Sequence, residues 1–305
     1  MTLTELRYIV ALSQTRHFGH AAEKCFVTQP TLSLAVKKLE DELGVELFER
    51  KKNDVIVTAA GERIVEQAKR VLAEASKISE LAQGVRDPLS GPLRLGVIPT
   101  IGPYLLPDLV PILRKLAPSM PLIIEETLTE NLAALLRSGE IDAAIIALPF
   151  KLPTVKTWPL YEESFQVVVP LDHPLSKKSA IKPKDLTKES LLLLNTGNCF
   201  RDQVLEACPG NMGADATEGK VGSSLETVRN MVASGLGVSV LPSSAVSQPY
   251  QSKSLKVLDF TEPVPSRRIA LAARETFSRP EALDVLLKAM RSLNAPWCRF
   301  LAMNS

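Results

Sequence analysis

The longest unbroken pattern in the chain is helical. Between Thr58 and Pro88 no proline intervenes, and Ile64, Ala68, Val71, Ala75, Ile78, Ala82 and Val85 recur in alternating steps of four and three. That is an a/d heptad seam, the spacing at which two helices wind around each other. A helix of about 27 residues is about 40 Å long. A small domain cannot bury such a seam within one chain, so residues 59–88 are expected to pair two copies. Ahead of it, three short helices are expected. Thr2 and Glu5 form a capping box, followed by Leu3, Leu6, Ile9 and Val10 at helical spacing. A second helix covers 18–25, where Ala21 and Ala22 allow close contact. Thr28 can cap a third, in which Pro30 is tolerated in the first turn. There Leu32, Val36, Leu39 and Leu43 share one face, while Pro30, Thr31, Leu34, Lys37 and Lys38 point the other way. Gly44 ends that helix, and 47–57 alternates as a small hairpin with Asn53-Asp54 as its turn.

After a Pro- and Gly-containing hinge at 87–92 the period changes. Strands are expected at 93–98, 122–127 and 141–148, with helices at 103–116 and 131–138 between them. This βαβαβ run implies a parallel sheet covered by helices on both faces. Strands at 165–169, 191–194, 237–241 and 255–260 form a second set. A strand at 268–273 and a helix at 280–293 return to the first. The expected fold is α/β with an N-terminal all-α winged helix-turn-helix. Residues 1–58 form the winged domain, 59–88 the pairing helix and 89–305 a two-lobed domain. One lobe spans about 91–163 and 268–305, the other about 164–267.

Composition changes this picture little. The 305 residues are 45% hydrophobic with a net charge of +2, enough for two or three cores but no bulk basic field. Residues 1–58 carry eight Lys/Arg against eight Asp/Glu. DNA binding therefore rests on pattern: an outward polar helix face and a basic hairpin tip at Arg50-Lys51-Lys52. No apolar run is long enough to span a membrane and no charged leader precedes one, so a cytoplasmic protein is expected. Phosphate loops, nucleophile elbows and metal-ligand spacings are absent, so an enzyme, a cofactor or a metal is not expected.

Chemistry concentrates between Gly197 and Pro209. Cys199 and Cys208 flank eight residues of helix-compatible sequence, with Arg201, Asp202 and Gln203 inside. Nine helical residues rise roughly 13.5 Å, whereas a disulfide needs Cα atoms about 4.4–6.8 Å apart. A helix and a disulfide here exclude each other, so the segment is a candidate two-state element. A peroxide would oxidise a thiolate to a sulfenic acid, which a nearby thiol resolves. Arg201 and a helix N-terminus are candidates to stabilise the thiolate. Gln203, one turn beyond Cys199, could reach a bound oxidant. Thr100 and Thr129 follow the first two strands of the sheet; both could cap helices, and both hydroxyls face the expected cleft. Ser223-Ser-Leu-Glu226 reads as a capping box. Cys25 and Cys298 read as structural.

The N-terminal run Phe18-Gly-His-Ala-Ala…Thr28-Gln-Pro-Thr-Leu-Ser33…Leu47-Phe48-Glu-Arg50…Thr58-Ala-Ala-Gly61 resembles the DNA-binding signature of LysR-type transcriptional regulators. The resemblance implies a winged helix-turn-helix, a linker helix and a two-lobed regulatory domain like a periplasmic binding protein. It places Phe18, Gln29, Pro30, Thr31, Ser33, Lys37 and Arg50 at promoter DNA. Gly197-x-Cys199-Phe-Arg201-Asp202-Gln203…Cys208-Pro209 resembles the hydrogen peroxide sensors of that family. This implies that Cys199 reacts with peroxide, that Cys208 resolves it, and that peroxide-defence genes respond. It further implies a homotetramer, a dimer of dimers, working with RNA polymerase. The peroxide pocket would hold Thr100, Thr129, Asn198, Arg201, Gln203 and Arg267, with Arg268 the close alternative. Relatives often carry His where Asn198 stands, so histidine activation of the thiol fails here. A small organic effector in the cleft is the other regulator reading, and a thiol peroxidase is the enzyme reading.

Overall fold

The computed structural model describes residues 1–51, 54–84, 87–209, 221–248, 250 and 252–301; of the side chains of residues 50, 51, 54, 77 and 79–84 nothing is described. Contacts divide the chain into two compact units, one of residues 1–87 with 137–140, the other of 88–136 with 141–305.

The first unit opens with helices α1 (Leu3–Thr15), α2 (Phe18–Lys24) and α3 (Gln29–Leu43). The Thr2–Glu5 capping box forms in full, satisfying two N–H donors that α1 would otherwise leave open. Gly44 takes the left-handed conformation, φ 68°, that closes α3. Thr28 occupies the N-cap position but makes no capping bond, because its hydroxyl is engaged with that of Thr31 at 2.8 Å. Strands β1 (Phe48–Lys51) and β2 (Asp54–Val57) pair antiparallel, with Lys51 opposite Asp54. Asp54 is thus a strand residue rather than part of the turn, and Lys52 and Asn53 lie outside the described residues. Helix α4 (Ala59–Gly84) follows. Leu6, Ile9, Leu12, Leu32, Val36, Leu39, Leu47 and Val65 build the core of this unit. Leu43, expected on the same face, is 38% exposed because it lies in the last turn of α3, beyond the packed elements. On α4, Ala68 is buried, whereas Val71 is 36% and Ile78 71% exposed. Of the seam, Val85 lies outside the described residues and nothing is described of the Ala82 side chain.

The second unit runs β3 (Leu93–Val97), α5 (Gly102–Leu116), β4 (Leu122–Glu126), α6 (Thr129–Ser138), β5 (Ala143–Ala147) and β6 (Val155–Pro170). It continues through β7 (Ala180–Ile181), β8 (Leu191–Leu194), α7 (Cys199–Ala207), β9 (Val221–Gly222), α8 (Leu225–Ala233) and β10 (Val238–Pro242). It ends with α9 (Ser243–Val246), β11 (Leu255–Phe260), β12 (Ser266–Arg274), α10 (Pro280–Arg291) and β13 (Arg299–Phe300).

Strands β4, β3 and β5 are parallel, and β12 joins β5 antiparallel. β6 is the bridge between lobes. Its first half pairs with β12, and its second with β10 and β11. Only the second half, 165–169, reads as a strand in the sequence. Lys156, Thr157, Pro159, Glu162 and Glu163 break the alternation of the first half, and β12 supplies the pairing that holds it extended. Two cores result. One contains Leu95, Ile145, Tyr161, Leu271 and Leu286; the other Phe165, Val167, Leu193, Phe200, Val228 and Val240. Among the described residues, no helix is long and apolar enough to cross a membrane.

Candidate functional site

Helix α7 places the two cysteines at its ends. Cys199 is its first residue and Cys208 its C-cap, and both thiols are free. Residues 199–207 are therefore helical, with Cys208 just past the last turn, which puts the cysteines in the separated arrangement. Cys199 is half-buried and packs against the core of the first lobe, although α7 belongs to the second. Cys208 is buried in the core of the second lobe, and that burial pushes its thiol up to about 11.

The cleft wall facing Cys199 comes from the first lobe. β3 and β4 are parallel neighbours, and the Thr127 N–H donates to the Val97 carbonyl at 3.2 Å, so their C-terminal ends stand together. Thr129 opens α6 just past β4, and its hydroxyl donates to the Cys199 sulfur at 3.6 Å. Thr100 lies just past β3 and is buried. It does not cap α5: Ile101 holds the N-cap position, and the Thr100 hydroxyl accepts from Nη1 of Arg267 at 2.8 Å. Nη2 of Arg267 adds a bond to the Thr100 carbonyl at 2.9 Å.

Strand alternation sets the two arginines on opposite faces. Neighbouring strand residues face opposite ways. Arg267 points inward and is fully buried, bonding Glu163 through Nε at 2.7 Å. Arg268 has a side chain 49% exposed and pairs with Glu162 on the outer face.

Gln203 stands one turn beyond Cys199. Its amide nitrogen donates to the Leu148 carbonyl at 3.3 Å, and its buried Oε1 has no hydrogen-bond partner. The Leu148 N–H in turn donates to the Arg268 carbonyl. A second residue of α7, Phe200, lies with its ring 4.9 Å from the Arg267 guanidinium carbon. Thr129 thus meets Cys199 and Thr100 meets Arg267, Phe200 beside Cys199 joins the two pairs through the guanidinium, and Gln203 reaches the Leu148 backbone.

Two candidates sit differently from expectation. Arg201, two residues from Cys199, leaves the helix on another side. Its Nη1 donates to the Leu194 carbonyl at 2.9 Å in a buried position, so it anchors α7 to β8 instead of standing at the thiol. Asn198 is buried at the N-cap position, with no side-chain capping bond. The capping of α8 is also shifted. Ser224, not Ser223, is the N-cap and accepts from the Thr227 N–H, leaving Glu226 to pair with Arg229. Glu163 and Phe200 were not legible as site residues. The one available signal is an acid pair, Glu162-Glu163, beside an apolar strand.

At the other unit, Gln29, Pro30, Thr31 and Lys37 are exposed on α3, while Ser33 and Phe18 are half-buried; Phe18 packs against the core of that unit. Arg50 lies on β1, and its side chain is outside what is described. Cys25 and Cys298 are half-buried, and burial beside Glu163 pushes Cys298 up to about 12. Among the described residues no group of His, Cys, Asp or Glu could hold a metal ion.

A winged helix-turn-helix joined in sequence to a two-lobed α/β domain with a polar cleft is the build of a DNA-binding transcription regulator. The chain belongs to the LysR family. Residues 3–62 match the bacterial regulatory helix-turn-helix protein, lysR family, and residues 86–295 match the LysR substrate binding domain. It is 42% identical over 274 residues to the hydrogen peroxide-inducible genes activator of Dickeya chrysanthemi, covering 90% of each chain. Among solved structures it resembles a full-length OxyR cysteine-to-aspartate variant from Pseudomonas aeruginosa. That match has 53% identity and TM-score 0.76, covering 96% of this chain and 99% of that one. A peroxide-bound OxyR cysteine-to-serine mutant from Corynebacterium glutamicum matches at 38% identity and TM-score 0.64, covering 95% and 91%.

Proposed function

We propose that the chain is a transcription regulator that senses hydrogen peroxide through a reversible Cys199–Cys208 disulfide and controls peroxide-defence genes. The observation that carries this reading is the placement of α7, with one free thiol at each end and a hydroxyl donating to the first. In the step inferred, the Cys199 thiolate attacks one peroxide oxygen. The O–O bond breaks, and the leaving hydroxide takes a proton to become water. The Cys208 thiol then attacks the sulfenic sulfur, releasing a second water and closing the S–S bond. Two thiols and one peroxide give a disulfide and two waters. A dithiol reductant reverses it by exchange.

The remaining pocket groups have matching roles. Thr129 orients the sulfur, Thr100 and Arg267 offer donors to the peroxide oxygens, and the unpaired Oε1 of Gln203 accepts a peroxide or water hydrogen. Closing the disulfide requires α7 to unwind and Cys208 to leave its core, and this change would be read out through the DNA-binding unit. The exposed seam positions Val71 and Ile78 on α4 support pairing of two copies; a dimer of dimers acting with RNA polymerase in the cytoplasm belongs to the same proposal. Footprinting a candidate promoter with reduced and oxidised protein, alongside peptide mass spectrometry, tests the reading. A Cys199–Cys208 disulfide with a changed footprint is expected; both thiols surviving stoichiometric peroxide overturns it. A regulator of an organic effector would bind a metabolite and ignore peroxide. A thiol peroxidase would turn over repeatedly with reductant.

A further inference from the structure

The buried acid behind Arg267 carries an inference that rests on the peroxide reading. Glu163 lies on β6 directly across from Arg267 on β12. Its Oε2 accepts from Nε of Arg267 at 2.7 Å and lies 2.7 Å from Nη2. Its Oε1 accepts from the Ser244 N–H at 3.0 Å. One carboxylate therefore fixes the arginine to three elements, β6, β12 and α9. Gripped along this edge, the planar guanidinium keeps Nη1 and Nη2 on the Thr100 hydroxyl and carbonyl. Phe200, buried one residue after Cys199, covers the guanidinium face at 4.9 Å and packs edge-on against Phe165. Because Arg267 donates to Thr100 Oγ1, that oxygen is the acceptor in this bond, and its own proton is available to donate into the cleft.

We propose that Glu163 is a positioning residue of the sensing pocket: together with the Phe200 ring it fixes Arg267 against Thr100, and so sets how fast peroxide oxidises Cys199. Glu163 touches neither the sulfur nor the cleft. It acts through the direction it gives to Arg267. Without it the fork loses its edge partner and swings toward other acceptors, and the Thr100 hydroxyl loses its fixed orientation. Hydrogen bonding to a departing peroxide oxygen is sensitive to that geometry, whereas displacement of iodide by the same sulfur is not.

The test is the rate of Cys199 oxidation by hydrogen peroxide in reduced full-length protein, with iodoacetamide alkylation of Cys199 as the second probe. Wild type, Glu163→Gln, Arg267→Lys and the double variant are compared. Glu163→Gln is expected to slow peroxide oxidation about tenfold or more while changing alkylation less than about twofold. In the Arg267→Lys background it is expected to have no further effect. A wild-type peroxide rate in Glu163→Gln overturns the proposal. So does equal slowing of both reagents, the mark of a general loosening, or an undiminished effect in the Arg267→Lys background. If Glu163→Gln does not fold, Glu163→Asp keeps the charge and retracts it by one methylene. About threefold slowing of peroxide alone is then expected, and a wild-type rate overturns the proposal. A wild-type protein that peroxide leaves unoxidised at Cys199 removes the peroxide reading, and this inference with it. A wild type that forms the disulfide, beside a Glu163→Gln variant of equal rate, removes the role of Glu163 alone.

Discussion

Cys199 and Cys208 terminate the same helix, yet each packs into a different core: Cys199 against that of the first lobe, Cys208 within that of the second. A bond between them would therefore take a buried side chain out of the second lobe's core. Cys208→Ser is expected to halt the reaction at the sulfenic acid, seen as a dimedone adduct at Cys199. Cys199→Ser should abolish both adduct and disulfide. In wild type, oxidation should raise amide exchange across 199–208, and unchanged exchange would show that the helix survives oxidation.

The burial of Cys208 has a pH signature. Its thiol is pushed by burial from an ordinary value of 9.0 to about 11. The unfolded chain gives up this proton first. The stability that this group lends is thus intact below pH 9.0 and is lost as pH rises toward about 11. Urea midpoints of the reduced protein should fall across that window, and replacing Cys208 with Ala should flatten this part of the fall. Alkylation at neutral pH should label Cys199 well before Cys208.

The Arg267–Glu163 pair is fully buried, so removing one partner strands the other's charge. Arg267→Ala is expected to cost about 3–5 kcal/mol, read from urea unfolding of the reduced protein. Arg268→Ala, on the exposed Glu162 pair, should cost no more than about 1 kcal/mol.

Val71 and Ile78 are exposed on α4 at seam positions. A Val71→Asp, Ile78→Asp double variant is expected to reduce the mass in sedimentation equilibrium to that of a smaller assembly, with the helical content of residues 1–51 retained. An unchanged mass would rule the seam out as the pairing surface.

Lys37 is exposed on α3, on the face away from the core. Lys37→Ala should weaken promoter binding by a similar factor on all sequences and reduce the salt slope by about 1. A change in base preference with an unchanged slope would place Lys37 at a base edge.

Much of the site was legible locally. Whether 199–207 is helical and where α3 turns its polar face depend on spacings of three and four, and helices are held together by bonds within one stretch of chain. The functions of Arg201, Thr100 and Ser224 were not legible in the same way. Each could meet several partners, and the packing of α7 on β8 decides the one Arg201 meets, as the inward face of β12 decides the one Thr100 meets.

The sequence alone placed Arg268 at the start of an expected strand, with Arg267 just before it, and left Glu162 and Glu163 ahead of the strand expected at 165–169. It could not say which pair faces inward. The register Arg267 opposite Glu163 and Arg268 opposite Glu162 sets one pair on each face of the same two strands. A shift of one residue would exchange them. Only the covering of one face by α9, Phe200 and Thr100 makes that face a dry interior. There Arg267 becomes a fixed donor to Thr100, while one residue away Arg268 remains a solvated surface charge.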